Sequence, residues 1–215
     1  TASRRCRTAS ITPVSRCGSE RAPAVRFETL IDAATLHRAL HDDAPVLLDC
    51  RYDLADPAAG RSAFAHAHLP GARYVDLAAD LSGPVTDASG RHPLPDPAVL
   101  AACLGALGVT DHSQVVCYDA ADGAFAARAW WLLRWLGHAA VAVLDGGLAA
   151  WEEAGLPTVT GGEPQRSADA AALPIWPPRV QAAAVDEITR CLGSRRRLLV
   201  DARARERFRG EREPI

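Results

Sequence analysis

The stretch Gln114-Val-Val-Cys-Tyr-Asp-Ala-Ala-Asp-Gly-Ala-Phe125 decides the fold. Its first part, Val115–Tyr118, is a short continuous apolar run of the kind that forms a strand buried on both faces. A loop of small residues begins at Asp119, and from Ala124 the sequence has helical character that ends at Gly137. Strand, loop and helix in this order indicate one unit of an α/β protein.

The same alternation continues on both sides of this unit. Further short apolar runs at 45–49 and 140–144 predict two more strands. Helices are predicted from a cap at Asp32 to Leu40, from 96 to 107, and from 147 to 154. Nearly all-apolar strands that alternate with helices are typical of a doubly wound parallel sheet with helices on both faces. We therefore predict an α/β fold of this kind.

Composition restricts the classes of function. The chain has 215 residues, of which 48% are apolar, and a formal net charge of −2. This charge gives no basis for binding nucleic acid or an anionic membrane, and no run of about 18 apolar residues predicts a membrane span. The six cysteines are scattered without metal-ligand spacing. We therefore expect no metal, no other cofactor, and a reducing cytoplasm as the location.

The two ends of the chain differ from its centre. Residues 1–25 are rich in Arg, Ser and Thr, as are organellar transit peptides, unstructured tails and non-native upstream sequence. A disordered or non-native tail is the favoured interpretation. Residues 26–160 are expected to form the first domain, and the Pro- and Gly-rich segment 161–180 an interdomain linker. Residues 181–215 are then the beginning of a second domain.

Beyond the linker the sequence begins to repeat itself. Residues recur at an offset of 152 positions (201 − 49): Leu36, Leu40, Leu47, Leu48, Asp49 and Arg51 pair with Ile188, Leu192, Leu199, Val200, Asp201 and Arg203. In both copies a helix, a short loop and an apolar strand lead to Asp, any residue, Arg. A period of about 150 residues indicates a duplicated domain. The second copy stops after its first strand, so we expect a fragment of a tandem-repeat protein.

The chemistry of such a sheet is expected beyond the carboxyl ends of its strands. The loop after Tyr118 leads into a helix N-terminus, where backbone N–H groups favour an anion or a thiolate. The residue at the start of this loop would be the nucleophile, but here it is Asp119, a carboxylate. His66 and His68 have His-x-His spacing, yet Leu-Pro-Gly after His68 favours a turn over a metal site.

Several motifs in the right order resemble the N-terminal domain of the two-domain rhodanese family, the thiosulfate and 3-mercaptopyruvate sulfurtransferases. The resemblance runs from about 27 to 215 and rests on His68-Leu-Pro-Gly-Ala72, Gly90-Arg-His-Pro-Leu-Pro95, Tyr118-Asp-Ala, Arg128-Ala-Trp-Trp131, Leu136-Gly-His138 and Val143-Leu-Asp-Gly-Gly147 with Trp151. In that family the first domain has Asp where the second has a persulfide-forming Cys. Asp119 therefore implies the catalytically silent domain. Ala78 departs from those mercaptopyruvate enzymes that use an acidic residue there.

The resemblance also implies a mechanism. A cysteine of low pKa takes sulfane sulfur from thiosulfate or 3-mercaptopyruvate, which are small anionic donors, and passes it to a thiol or cyanide acceptor. By position in the motif 200–210, Arg207 is implied to bind the donor anion, and Arg203 is a weaker candidate. The alternative for this row of arginines is a solvated basic face.

The spacing of the first copy places the active cysteine near residue ~270. The chain as written is therefore expected to be inactive, with Cys50 and Cys117 interpreted as core residues. The rival hypothesis is a non-catalytic rhodanese-like binding or scaffolding module. A rhodanese-fold phosphatase needs a Cys-x5-Arg loop, and because no such spacing is expected in this sequence, neither is that activity.

Overall fold

The computed structural model describes residues 26–42, 44–120, 122–162, 166–167, 169–194 and 197–212. Its strands are β1 (Leu30–Ile31), β2 (Val46–Asp49), β3 (Arg73–Tyr74), β4 (Val115–Tyr118) and β5 (Val141–Leu144). Its helices are α1 (Ala33–Asp42), α2 (Ala59–His66), α3 (Pro97–Ala106), α4 (Ala124–Trp135), α5 (Gly147–Glu153), α6 (Val185–Cys191) and α7 (Arg205–Phe208). The predicted tail, 1–25, lies outside the described residues.

The five strands form one sheet in the order β1-β5-β4-β2-β3, and every strand pair in it is parallel. One face of the sheet is covered by α3 and α4, with Leu104 and Leu132 in that hydrophobic cluster. The other face is covered by α1, α2 and α5, which contribute Leu36, Phe64 and Trp151. The predicted α/β class and the doubly wound parallel sheet are therefore confirmed. Because β4 is central, the loop that follows it opens between β2 and β5.

Three elements of the first domain, β1, β3 and α2, are absent from the sequence prediction. Strands β1 and β3 are two residues long and lie at the sheet edges, so they have no detectable period. Ala58, the residue before helix α2, provides no side-chain cap, and the helix buries only Gly60 and Phe64. Contacts with the sheet, rather than local signals, therefore define these elements.

The described part of the predicted linker binds the first domain. Arg166 holds the Asp80 carboxylate with two hydrogen bonds of 2.7 Å, and Leu173 is buried in the cluster under α3 and α4. The backbone N–H groups of Trp176 and Arg179 donate to the carbonyls of Leu136 and Arg134, at the C-terminus of α4. This segment thus satisfies helix-end carbonyls that would otherwise lack partners. The boundaries of the linker at 161 and 180 stay a prediction.

The described part of the predicted second copy contains α6 and α7. Between them the apolar run Leu198–Val200 is exposed, with Leu198 at 88%. In the first copy the matching strand, β2, lies between β3 and β4 and is buried by α/β packing. Among the described residues, no helix is long and apolar enough to span a membrane.

Candidate active site

The candidate site is the loop after β4. Asp119 follows the strand directly, and Gly123 immediately precedes α4 with a positive φ of 80° that favours glycine. On the other side, the Leu148 N–H donates to the Asp119 carbonyl at 2.9 Å. A Cβ on Gly147 would lie 2.3 Å from that same oxygen, so only glycine permits this approach of α5. The Asp-Gly-Gly motif therefore serves to position the loop.

The Asp119 side chain is the centre of the site. It is 1% exposed. Its Oδ1 accepts from the Gly123 N–H at 3.1 Å, and its Oδ2 accepts from the Phe125 and Ala126 N–H groups at 3.0 Å each. Phe125 and Ala126 are the second and third residues of α4, whose N–H groups a side-chain cap ordinarily satisfies. The N-terminus of α4 and its loop thus form an anion cradle, and the Asp119 carboxylate fills it.

A cavity of about 200 Å³ opens beside this carboxylate. Its walls are lined by Arg51, Tyr52, Asp53, Ala59, Gly60, Ala63, Asp119, Ala120 and Phe125. The one cationic group of this lining, Arg51, is bonded to the buried carboxylate of Asp49. The remaining charges in the lining, Asp53 and Asp119, are negative. An anionic donor therefore finds no uncompensated positive charge here.

The Asp49–Arg51 ion pair lies at the carboxyl end of β2, next to the cavity. The Arg51 Nε and Nη2 donate to the Asp49 carboxylate at 3.0 and 2.7 Å, and Nη2 also donates to the Ala67 carbonyl at 2.6 Å. Burial alone would lower the pKa of Arg51, but the hydrogen bonds and charge of Asp49 raise it. Through these bonds Arg51 holds the turn after β2 against the segment after α2.

An ion pair of the same kind occurs at the matching positions of the predicted second copy. The Arg203 Nε and Nη2 donate to the Asp201 carboxylate at 3.0 and 2.7 Å. The hydrogen bonds of Arg203 lower the pKa of Asp201 to about 2, and the charge of Arg207 contributes to this shift. The structure therefore brings both candidate arginines, Arg203 and Arg207, near Asp201. Neither is among the residues that line the cavity at Asp119.

Sequence reasoning missed an aromatic group on the rim of the cavity. The Tyr52 ring lies edge-to-face with the rings of Phe125 and His92, at centroid distances of 5.9 Å in both cases. Burial, followed by the charges of Arg128 and Arg91, lowers the pKa of His92. His92 appears in a motif of the resemblance, but nothing in the sequence places it next to residue 52.

Arg128 fixes the segment that carries His92. Its guanidinium donates to the Leu81 carbonyl at 2.8 Å and to the carbonyls of His92 and Pro93 at 3.1 and 3.2 Å. Burial lowers the pKa of Arg128. The conspicuous Arg of the Arg-Ala-Trp-Trp motif is therefore bonded to loop carbonyls, which makes it a positioning residue.

The cysteines of the first domain have the properties of core residues. Cys50 and Cys117 are buried, and burial together with the neighbouring Cys117 thiol raises the pKa of Cys50 well above its ordinary value. Burial, and then the charge of Asp80, raises the pKa of Cys103 to about 12. The Cys50 and Cys103 thiols are therefore protonated at neutral pH and are poor nucleophiles.

Two further sequence expectations can be checked. His68 precedes the turn from Leu69 to Ala72 and pairs with Val159 in an antiparallel bridge. Its Nδ1 is 2.7 Å from the Phe64 carbonyl oxygen, and its ring stacks on Phe64 at 3.8 Å. The expectation that no Cys-x5-Arg spacing occurs is wrong, since Cys191 and Arg197 have it. Cys191, however, is the last residue of α6, the negative end of a helix, which disfavours a thiolate. In the described part of the chain, no group of three or more potential metal ligands comes together.

The site is thus a loop with three converging N–H donors after the central strand of a parallel α/β sheet. The chain belongs to the rhodanese-like domain family, which it matches over residues 32–154. It is 48% identical over 188 residues to the Pseudomonas aeruginosa protein named "Probable 3-mercaptopyruvate sulfurtransferase", covering 86% of this chain and 65% of the relative. It is 39% identical over 176 residues to human 3-mercaptopyruvate sulfurtransferase, covering 78% of this chain and 56% of the relative.

A solved structure agrees with these relatives. The structure of Escherichia coli SseA, described as a 3-mercaptopyruvate sulfotransferase with the rhodanese fold, superposes with a TM-score of 0.71 at 26% identity. The match covers 88% of this chain and 71% of SseA. The chain thus spans about two thirds of the length of the Pseudomonas relative.

Proposed function

We propose that the whole protein is a sulfurtransferase, which moves sulfane sulfur from thiosulfate or 3-mercaptopyruvate to a thiol or cyanide through a cysteine persulfide. The names of the relatives support this activity, and so does membership of the rhodanese-like family. The relatives named here favour 3-mercaptopyruvate as donor. The alanine at position 78 argues in the other direction, so both donors belong in the test.

The observation that carries the proposal is the occupied cradle at Asp119. Three backbone N–H groups converge on the position that a nucleophile would hold, and a carboxylate accepts all three. A carboxylate that is 1% exposed cannot attack a donor sulfur. The persulfide is therefore assigned to the second copy, on a cysteine near residue ~270 that corresponds to Asp119.

The repeated ion pair supports this assignment. Asp49–Arg51 and Asp201–Arg203 have the same bidentate geometry, with bonds of 3.0 and 2.7 Å in each. Because Arg51 is a structural residue in the first copy, Arg203 is assigned the same role in the second. Arg207 is then the better candidate for the donor anion, since its guanidinium can bind a sulfonate-like or carboxylate group through two hydrogen bonds.

The remaining assignments follow from the same site. The donor is a small anion, the acceptor is a thiol or cyanide, and neither a cofactor nor a nucleic acid has a role in the transfer. The cysteines Cys50, Cys103, Cys117 and Cys191 are unpaired. Unpaired thiols favour a reducing compartment, and the cytoplasm is proposed as the location.

The test compares the chain as given with a completed form, for example one extended by the C-terminal third of the Pseudomonas relative. The completed form is expected to produce thiocyanate from thiosulfate and cyanide, or pyruvate from 3-mercaptopyruvate, whereas the chain alone gives only the uncatalysed rate. The competing hypothesis of a binding or scaffolding module is favoured if the completed form is folded and inactive with both donors.

Arg207→Ala in the completed form tests the anion-binding role. The loss of a charge-assisted hydrogen bond of about 1.5–3 kcal/mol predicts a roughly ten- to hundredfold lower kcat/KM with either donor. Arg205→Ala, two residues earlier in α7, is the matched control and is expected to change the activity little. Equal effects of the two substitutions would show that the assignment of Arg207 is wrong.

A further inference from the structure

A second cavity, of about 500 Å³, lies at the amino edge of the sheet, opposite the loop after β4. Its lining includes Arg26, Asp111 and His138, which precede β1, β4 and β5 in the chain. Trp176 and Arg179 of the linker belong to the same wall. The cavity thus lies where the linker meets the first domain, and the proposed sulfur transfer does not involve it.

The charges around this cavity are mainly positive. Arg26 and Arg179 form no ion pair with any described residue. The acid in the described lining, Asp111, has its carboxylate 3.3 Å from the Nε2 of His112 instead. Burial lowers the pKa of His138, and the charges of both arginines lower it further. The two guanidinium groups therefore act on the same buried imidazole, and no described carboxylate pairs with either of them.

Both arginines extend from backbone that the fold holds in place. Phe27, next to Arg26, exchanges two hydrogen bonds with the Gln114 side chain, at 2.9 and 3.0 Å. The Arg179 Nε donates to the Gly137 carbonyl at 3.0 Å, just beyond the end of α4. This bond leaves the Nη1 and Nη2 groups of Arg179 for a ligand. Groups that are positioned in advance lose less conformational entropy when they bind.

Gly137 allows the linker to approach the first domain at this point. A Cβ on Gly137 would lie 2.6 Å from the Trp176 Cβ, and its φ of +88° also favours glycine. The Trp176 N–H donates to the Leu136 carbonyl at 2.9 Å. The linker therefore lies directly on the turn between α4 and β5. Arg26 reaches the cavity from the first domain, and Arg179 reaches it from the linker.

The chemistry of this lining favours an oxyanion. A guanidinium holds a phosphate group through two parallel hydrogen bonds, and a doubly charged anion can accept from two guanidinium groups at once. The cavity is larger than one phosphate, and the Trp176 ring, which is 39% exposed, offers a flat apolar wall. We propose that the cavity binds a phosphate group, free or as part of a metabolite, and that the bound anion ties the linker to the first domain.

Limited proteolysis of the full chain tests this tie. Trypsin cleaves after arginine, and the bond between Arg179 and Val180 lies at the cavity. Phosphate at about ten times its dissociation constant should slow this cleavage roughly tenfold, because only about one chain in eleven then lacks the anion. Chloride at equal ionic strength is the reference. Cleavage after Arg190, in α6, is the internal control and should keep its rate.

A variant of the first domain identifies the guanidinium group that faces the linker. Arg26→Gln removes one positive charge without changing the linker, so cleavage after Arg179 in the absence of phosphate should keep its rate. Its affinity for phosphate should fall roughly ten- to hundredfold, which corresponds to the loss of a hydrogen bond between charged groups. Arg38→Gln, at an exposed arginine of α1, is the matched control and should bind phosphate like the wild-type chain.

A direct binding measurement makes the test independent of proteolysis. Equilibrium dialysis with labelled phosphate should show saturable, millimolar binding to the wild-type chain at low ionic strength. Arg179→Lys keeps the positive charge but loses the guanidinium fork, so its binding should be roughly three- to tenfold weaker. Substitutions at Arg26 and Arg179 leave the lining of the cavity at Asp119 unchanged.

Adenosine monophosphate and adenosine distinguish the two sources of the phosphate group. Tighter binding of the nucleotide than of phosphate assigns the Trp176 wall to the ring of a metabolite, whereas equal binding assigns the cavity to free phosphate. Both outcomes support the proposal. Adenosine lacks the charge and should not slow the cleavage after Arg179.

Three results overturn the proposal. Phosphate leaves the cleavage after Arg179 in the wild-type chain unchanged, or it protects Arg26→Gln as well as the wild-type chain. In the third, adenosine protects as well as adenosine monophosphate, since the recognised group would then be the ring and not the anion. None of these results bears on sulfur transfer, which is measured separately in the completed protein.

Discussion

Removal of the Asp119 carboxylate should destabilise the first domain strongly, because the cradle then contains three N–H donors without their acceptor. The bond to the Ala126 N–H is buried, and the bonds to the Gly123 and Phe125 N–H groups are partly buried. An unsatisfied buried donor costs about 1–3 kcal/mol, and a partly buried donor that water can reach costs about 0.5–1.5 kcal/mol. Asp119→Ala is therefore expected to lower the free energy of unfolding by about 2–6 kcal/mol.

Urea unfolding of the full chain measures this loss as a shift of the midpoint at constant slope. Asp119→Asn keeps one carbonyl oxygen as acceptor but loses the charge, so its loss should be roughly half as large. Asp122→Ala is the matched control, since Asp122 is an exposed carboxylate in the same loop, and a change within about 0.5 kcal/mol is expected. If Asp119→Ala is as stable as Asp122→Ala, the carboxylate is not what holds the N-terminus of α4, and the cradle argument fails.

The central part of the fold could be predicted because its signals are local. Strand β4 is a continuous apolar run, and α4 begins at a glycine that ends the loop. The position of Asp119 follows from these two elements and from the rule that ligands bind beyond the carboxyl ends of parallel strands. The bonds from its carboxylate to three particular N–H groups could not be predicted, since they depend on the loop conformation.

Contacts between distant segments of the chain escaped prediction. The group of Tyr52, His92 and Phe125 joins two loops and the first turn of α4, which are more than thirty residues apart in the sequence. Arg128 was recognised as part of a motif, but its carbonyl partners lie 35–47 positions earlier in the sequence. The sequence shows that such an arginine is present, whereas its partners are determined by the packing of α4 against the loop.

Two further predictions test the surroundings of the site. Gly147→Ala should lower the free energy of unfolding by about 2–4 kcal/mol, because its Cβ would approach the Asp119 carbonyl oxygen to 2.3 Å at a φ of +57°. Gly155→Ala is the control: its φ is +67°, no atom lies within 4 Å, and the loss should be only about 1–2 kcal/mol. Equal urea midpoints for the two variants would contradict the steric explanation. The second prediction concerns Asp80 and pH. Burial alone would raise the pKa of Asp80, but the hydrogen bonds and charge of Arg166 outweigh this, so its folded-state pKa lies below the ordinary value. A lowered folded-state pKa stabilises the fold fully above the unfolded-state pKa of about 3.9, and this contribution is lost as the pH falls through the folded-state value. Urea midpoints measured from pH ~6 down to pH ~3 should therefore fall less steeply for Asp80→Asn than for the wild-type chain. If the urea midpoints of the two proteins fall in parallel, protonation of Asp80 does not weaken the attachment of the linker through Arg166.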